Sequence, residues 1–293
     1  MSTIHIDADL HVHTTASDGT WSPEEAVRSA KESGLRALAI ADHDTVDGIQ
    51  PGQEAGNREG IEVLAAVEIN TDFRGSQFHI LGYLFDGAAD KMAAELQRIR
   101  EARVDRASQM VDKLRDLGID ITLDEVRDEA SDGSLGRPHV ARVLYKKGVV
   151  KEIQEAFDQF ILPGRPAFVE RYKLTPTDAV RMIRESGGVP VMAHPGLTGQ
   201  DEHIRELIPA GLIGIEVYHS HHNPAVSRHY EKLALKLGLL ITGGSDSHGP
   251  DSGKPIRLGR TGVPYERVAQ LKEAGEKLCG NAECGEQNEQ KYR

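Results

Sequence analysis

The stretch SPEEAVRSAKESGLRALAIADHD, residues 22–44, decides the architecture. Ser22 and Glu25 have the spacing of a capping box, Pro23 takes the first helical position, and Gly34 stops the helix they begin. LRALAIADHD follows at once, a continuous apolar run of the kind a strand buried on both faces requires. The same order returns twice. TPTDAVRMIRESGG (175–188) leads into VPVMAHPG (189–196), and NPAVSRHYEKLALKLG (223–238) leads into LLITGGSDSH (239–248). Strand, helix and strand in repeated order predict a parallel sheet or a (β/α) barrel.

One section breaks this rhythm. DKMAAELQRIREARVDRASQMVDKLRDLG (90–118), TLDEVRDEA, RPHVARVLYKKG and EIQEAFDQFI are helical patterns with no strand between them. The expected division is therefore a barrel over 1–89, an all-helical insertion over 90–165, the barrel resumed over 166–275, and a polar tail over 276–293. No internal repeat or low-complexity linker appears.

With 293 residues, the chain is long enough to bury a substantial core, and 39% hydrophobic with 28% charged residues describes a globular protein. No apolar run approaches the ~20 residues that span a bilayer, and no signal peptide is visible, so the expected location is cytoplasmic. Cys279 and Cys284 are too few for a disulfide framework. A net charge of −11 argues against a broadly basic nucleic-acid surface, though local cations can still attract a phosphate.

The histidines and acids gather where apolar runs end. His11 and His13 follow Leu10, with Asp18 just beyond; ALAIADHD ends near His43; IEVLAAVE ends at Glu68; VPVMAH ends at His194; LLITGGSDSH ends at Asp246 and His248. In a barrel, the C-terminal ends of the strands meet at one mouth. His79, early in FHILGYL, fits only if its strand runs against the others or begins elsewhere. Residues i and i+2 on a strand share a side, so His11 with His13, and Asp246 with His248, can each grip one cation. Six imidazoles and three carboxylates exceed the needs of one ion. Such mixed N/O donors favour Zn, Mn or Fe(II), and the lack of thiolates weighs against a purely structural zinc site. Ser245 or Ser247 with His248 as a hydrolase pair fits less well, because Asp246 and the other histidines favour metal ligation.

Together, DLHVHTTASDG, ADHD, the glutamate of VEI, FHILGY, AHPG and GSDSH resemble, in order, the motifs of the PHP (polymerase and histidinol phosphatase) family. The resemblance implies an α/β fold, a distorted (β/α)7 TIM-like barrel with the helical insertion, holding two or three divalent ions (Mn, Fe or Zn). Carried over by position, it assigns His11, His13, Glu68 and Asp246 to one ion. Glu68, His79 and His194 go to a second, and Asp18, His43 and His248 to a third. Asp246, His248 and His194 are thereby expected at the reacting phosphate.

GRPHVAR and LPGRPAFV resemble the branch acting on 3′,5′-nucleoside bisphosphates and on RNA 5′ ends, which implies a phosphorylated nucleotide or short RNA as substrate. The ions would make the pocket locally positive and acidify a water for attack on phosphorus. Arg137 and His139, with Arg165, are the expected grips for a further phosphate, since a guanidinium binds its oxygens bidentately. His221, within YHSHHN, is a further candidate substrate contact. The alternatives are a small-metabolite phosphatase of histidinol-phosphatase type and a catalytically silent metal-binding module. No protein partner or membrane contact is legible, and the aromatic residues form no base-stacking pattern.

Overall fold

Ser22 caps its helix as the spacing predicts. Its hydroxyl accepts the Glu25 N–H at 3.2 Å, and the Glu25 carboxylate accepts the Ser22 N–H at 2.8 Å. The computed structural model describes residues 5–73, 76–85, 87–130, 136–170, 174–250 and 257–289. Chain order gives β1 (Ala8–Val12), α1 (Pro23–Glu32), β2 (Ala37–Ile40), α2 (Ile49–Glu59), β3 (Glu62–Phe73), β4 (Ser76–Leu84) and α3 (Ala88–Asp116). Then come α4 (Leu123–Ala130), α5 (Arg137–Lys146), α6 (Ile153–Ala156), α7 (Pro176–Glu185), β5 (Val189–Met192) and α8 (Asp201–Leu207). Finally, β6 (Gly214–His219), α9 (Pro224–Leu237), β7 (Leu240–Gly244) and α10 (Tyr265–Glu289) complete the set.

The chain divides into two compact units, Met1–Ala93 with Leu174–Arg293, and Ala94–Lys173. In the first, seven strands form one sheet in chain order, β1 to β7. β1–β2–β3 and β5–β6–β7 pair in parallel, whereas β4 runs antiparallel to both β3 and β5. At their C-terminal ends, β1 and β7 are stitched together. The His13 N–H donates to the Ser247 carbonyl at 3.0 Å and the Asp246 N–H to the His11 carbonyl at 2.9 Å. The sheet is thus nearly closed into a barrel, with helices around it.

Gly244 makes that approach possible, because a Cβ there would lie 2.3 Å from the His11 Cβ. Inside, Ala39, Ala41, Leu64, Ala66, Leu81, Tyr83 and Val191 pack into one apolar cluster. The fully buried Tyr83 donates its hydroxyl to the Leu10 carbonyl at 2.9 Å, so its polar end is satisfied. Glu68, His43 and His79 stand two residues from Ala66, Ala41 and Leu81, and so continue the inward face toward the mouth.

The second unit is helical and has its own core, built on Met110, Leu114, Val126, Val140, Leu144 and Ile161. Ala167 belongs to that core and its N–H reaches the Phe160 carbonyl at 2.9 Å. This packing carries the helical unit beyond the expected limit of 165. Among the described residues, no helix is long and apolar enough to cross a membrane.

Two local expectations change. Glu68 does not end its strand: β3 continues to Phe73, because hairpin pairing with β4 sustains it, with Glu68 opposite Leu81 and Asn70 opposite His79. β4 runs against the others, so His79, early in its strand, lies on the same side as the C-terminal ends of the rest. At the far end, α10 extends to Glu289 through the stretch expected as a tail, in keeping with its Glu, Gln, Lys and Ala content. The side chains of Cys279 and Cys284 lie outside the described residues.

Candidate metal centre

Glu68, 1% exposed, stands at the centre of the mouth. Its Oε1 lies 2.9 Å from His79 Nδ1 and 2.9 Å from His194 Nε2. Its Oε2 lies 3.3 Å from His11 Nε2, 3.3 Å from His13 Nε2 and 3.1 Å from His43 Nδ1. Asp246 Oδ1 approaches His13 Nε2 at 3.1 Å, and Asp18 Oδ2 approaches His248 Nε2 at 3.3 Å. All nine residues expected to bind metal therefore meet at one place.

Three sets of donor atoms lie within 4.8 Å of one another: His11, His13, Glu68 and Asp246; His13, Asp18, His43 and His248; and His43, Glu68 and His79. His43 thus reaches Glu68 as well as the set containing Asp18. His194 joins through Glu68 Oε1.

Backbone geometry aims these donors. One extra residue in β1 against β2, between Asp9 and Val12, bulges the strand and lets both His11 and His13 face Glu68 while Leu10 packs in the core. His194 and Asp246 hold left-handed backbone, φ 26° and φ 53°, conformations that cost a non-glycine residue roughly 1–3 kcal/mol and recur where function demands them. Ring tautomers are set from behind. His248 Nδ1 donates to the Asp246 carbonyl at 2.9 Å, which turns Nε2 toward Asp18 Oδ2 at 3.3 Å.

The donor set fits divalent ions. His11 Nε2 and both ring nitrogens of His13 are buried with no hydrogen-bond partner among the described residues. Yet His11 Nε2 and His13 Nε2 each lie 3.3 Å from the same Glu68 oxygen. Lone pairs converging on shared space, rather than on each other, are what a cation needs.

Charge follows the same design. Burial opposes the charged form of His13, but Asp246 and Glu68 beside it raise its pKa to about 9. Burial also works against ionised Glu68, and the charges of His11, His43 and His79 outweigh it, holding the carboxyl well below its usual range. For His43, burial dominates and lowers the pKa to about 4.

A pH signature follows for protein stripped of metal. His13 binds its proton more tightly folded than unfolded, so its contribution to stability is complete below about 6.5 and is lost as pH rises through about 9. His43 has the opposite sign: its contribution is present above about 6.5 and is lost as pH falls toward about 4. Calorimetry in chelator should find the melting temperature highest near neutrality and lower by several degrees at pH 9. Added Mn²⁺ or Zn²⁺ should reverse the alkaline decline, because metal binding requires bare imidazoles. An alkaline decline unaffected by metal would count against these donors.

A PHP domain model matches residues 9–147. A 5′-3′ exoribonuclease of Haemophilus influenzae is 35% identical over 267 residues, spanning 87% of this chain and 96% of the relative. A 3′,5′-nucleoside bisphosphate phosphatase of Chromobacterium violaceum is 34% identical over 251 residues, 84% of this chain and 88% of the relative. The chain belongs to the PHP family. A solved structure from Bifidobacterium adolescentis, assigned to the metal-dependent phosphoesterases, superposes with a TM-score of 0.67 at 31% identity, covering 90% of this chain and 94% of that one.

The expected substrate contacts of this PHP chain are distributed differently. Arg137, His139 and Arg165 belong to the helical unit. There, His139 Nδ1 accepts the Gly136 N–H at 2.9 Å and so helps cap α5. Arg165 is exposed. His221 is exposed in the barrel unit, and its backbone N–H donates to His219 Nδ1 at 3.2 Å.

Two residues behind the centre, Asp42 and Glu216, escaped the sequence reading. Asp42 accepts the Thr14 N–H at 2.7 Å, the Thr14 hydroxyl at 2.7 Å and the Ser17 hydroxyl at 2.6 Å, fixing the loop that carries Asp18. His219, from YHSHHN, is buried with Nε2 3.5 Å from Asp246 Oδ2. Glu216 is fully buried against His11. Its signal was available: a lone carboxylate inside the apolar run GLIGIEVY.

Proposed function

We propose that this PHP protein is a metal-dependent phosphoesterase acting on phosphorylated nucleotides, either 3′,5′-nucleoside bisphosphates or short 5′-phosphorylated RNA. The observation that carries this reading is the convergence of nine His, Asp and Glu donors at one mouth, with five imidazoles on Glu68 alone. The kinship with the bisphosphate phosphatase and the exoribonuclease, at 34% and 35% identity over most of each chain, supports the substrate class.

Divalent ions bound by the nine donors would supply Lewis acidity toward water and phosphate oxygens. The chain's own part is to hold those donors rigid, to keep Glu68, Asp246 and Asp18 ionised, and to fix which ring nitrogen each histidine offers. Arg137 and His139 at the start of α5, with Arg165, would grip a second phosphate or the next nucleotide; His221 is the candidate contact from the barrel unit. His194, His248 and Asp246 are assigned to the face against which the reacting phosphate rests.

Protein purified without chelator and supplied with Mn²⁺ should release phosphate from adenosine 3′,5′-bisphosphate, or mononucleotides from 5′-phosphorylated RNA, far faster than phosphate from histidinol phosphate. A preference for histidinol phosphate would move the protein to the small-metabolite class. Arg137→Ala should raise KM about tenfold to a hundredfold, the cost of a charge-assisted grip, and leave metal content unchanged. Metal loss in that variant would make Arg137 structural.

A further inference from the structure

Glu216 on β6 is 0% exposed and touches two of the candidate donors at once. Its Oε1 accepts a hydrogen bond from His11 Nδ1 at 3.0 Å, and its Oε2 accepts the backbone N–H of His194 at 2.8 Å. Both oxygens are therefore engaged by donors, and Glu216 stands behind the centre rather than in it. With Nδ1 committed, His11 has only Nε2 left. That nitrogen faces Glu68 Oε2 at 3.3 Å and Asp246 Oδ1 at 3.8 Å without a hydrogen-bond partner among the described residues. The second contact is as specific, because the His194 backbone sits at φ 26° and its N–H needs a buried acceptor where the chain leaves β5.

We propose that Glu216 is a positioning residue for the metal centre: it locks His11 with the proton on Nδ1 and Nε2 bare, and it pins the left-handed turn that presents His194. The inference rests on the metal-centre reading above. One carboxylate on β6 thereby couples a donor on β1 to one after β5. A carboxylate behind a ligating imidazole fixes its tautomer and its orientation, and removing one weakens metal binding by about 10–100-fold.

Glu216→Gln is the informative change. An amide of the same shape offers one acceptor and one NH₂ group, so it cannot accept from both His11 and His194. Whichever donor meets the NH₂ group must turn away or shift its proton, and a proton shifted to His11 Nε2 blocks the metal face.

Zn²⁺ affinity, measured by competition with a chromophoric chelator, should fall about 10–100-fold in E216Q, with the far-UV circular dichroism of wild type. Wild-type affinity in folded E216Q would overturn the inference while leaving the metal centre standing. A wild-type protein that takes up no Zn²⁺ would overturn both. Should E216Q not fold, the zinc-loaded wild type decides. His11, assigned by comparison with His11→Gln, should show a protonated Nδ1 in ¹H–¹⁵N spectra. A proton on Nε2, or none on Nδ1, would refute the proposal.

Discussion

Glu68→Gln is expected to strip the protein of its metal and reduce turnover by well over the ~100-fold that loss of an outer partner costs. Among the described residues, no other side chain meets so many of the donors. Its two oxygens face five imidazoles, those of His11, His13, His43, His79 and His194, at 2.9–3.3 Å. Gln preserves volume but loses the charge and turns an NH₂ group toward nitrogens that need an acceptor or a cation. The change should also reach the metal-free state, since Glu68 is one of the charges that keep His13 protonated to about pH 9. In chelator, the variant should lose much of the alkaline fall in melting temperature. Elemental analysis and calorimetry of the same preparation test both parts. A variant that retains its full complement of ions would remove Glu68 from the centre.

Asp246→Asn should cost activity on a comparable scale while leaving the fold nearly intact, and the reason lies in the backbone. Asp246 sits at φ 53°, a region that Asn enters at least as readily as Asp. Its N–H can still reach the His11 carbonyl. What disappears is the charge beside His13 Nε2 at 3.1 Å and His219 Nε2 at 3.5 Å. Asp246→Ala makes the control: it should lose activity as Asn does, and in addition lose about 1–2 kcal/mol of stability from the left-handed conformation. Metal content, turnover and thermal melts of the two variants separate chemistry from strain. Near-wild-type activity in the Asn variant would show that the centre lies elsewhere.

Much of this was legible because strands and metal sites both leave short, local signals. The capping pair Ser22 and Glu25, and the apolar run to Ile40, fix a helix and a strand with no reference to the rest of the molecule. Donors at strand ends stand out because a polar side chain after an apolar run has little other reason to be there. What escaped was set by pairing. The length of β3 depends on its hairpin with β4, and a carboxylate at position 68 looks terminal until Asn70 and His79 are seen as neighbours. Glu216 and Asp42 escaped for a related reason. Their partners, His11 with His194 and Thr14 with Ser17, lie far away in sequence, and a buried acid declares its purpose only when its hydrogen bonds are known. The expected phosphate grips fall in the helical unit, whose core is independent of the barrel's.

The stitches between His11 and Asp246, and between His13 and Ser247, carry a consequence for how the protein comes to be. The first donors leave the ribosome with β1 and the last only after β7, so the centre has no complete form until β7 has emerged. A nascent chain halted before Asp246 would carry most of its imidazoles on an open sheet, unable to grip an ion as the finished protein does. Shutting the barrel and completing the centre are one event, and the ions can be retained only by a chain whose first and last strands have met.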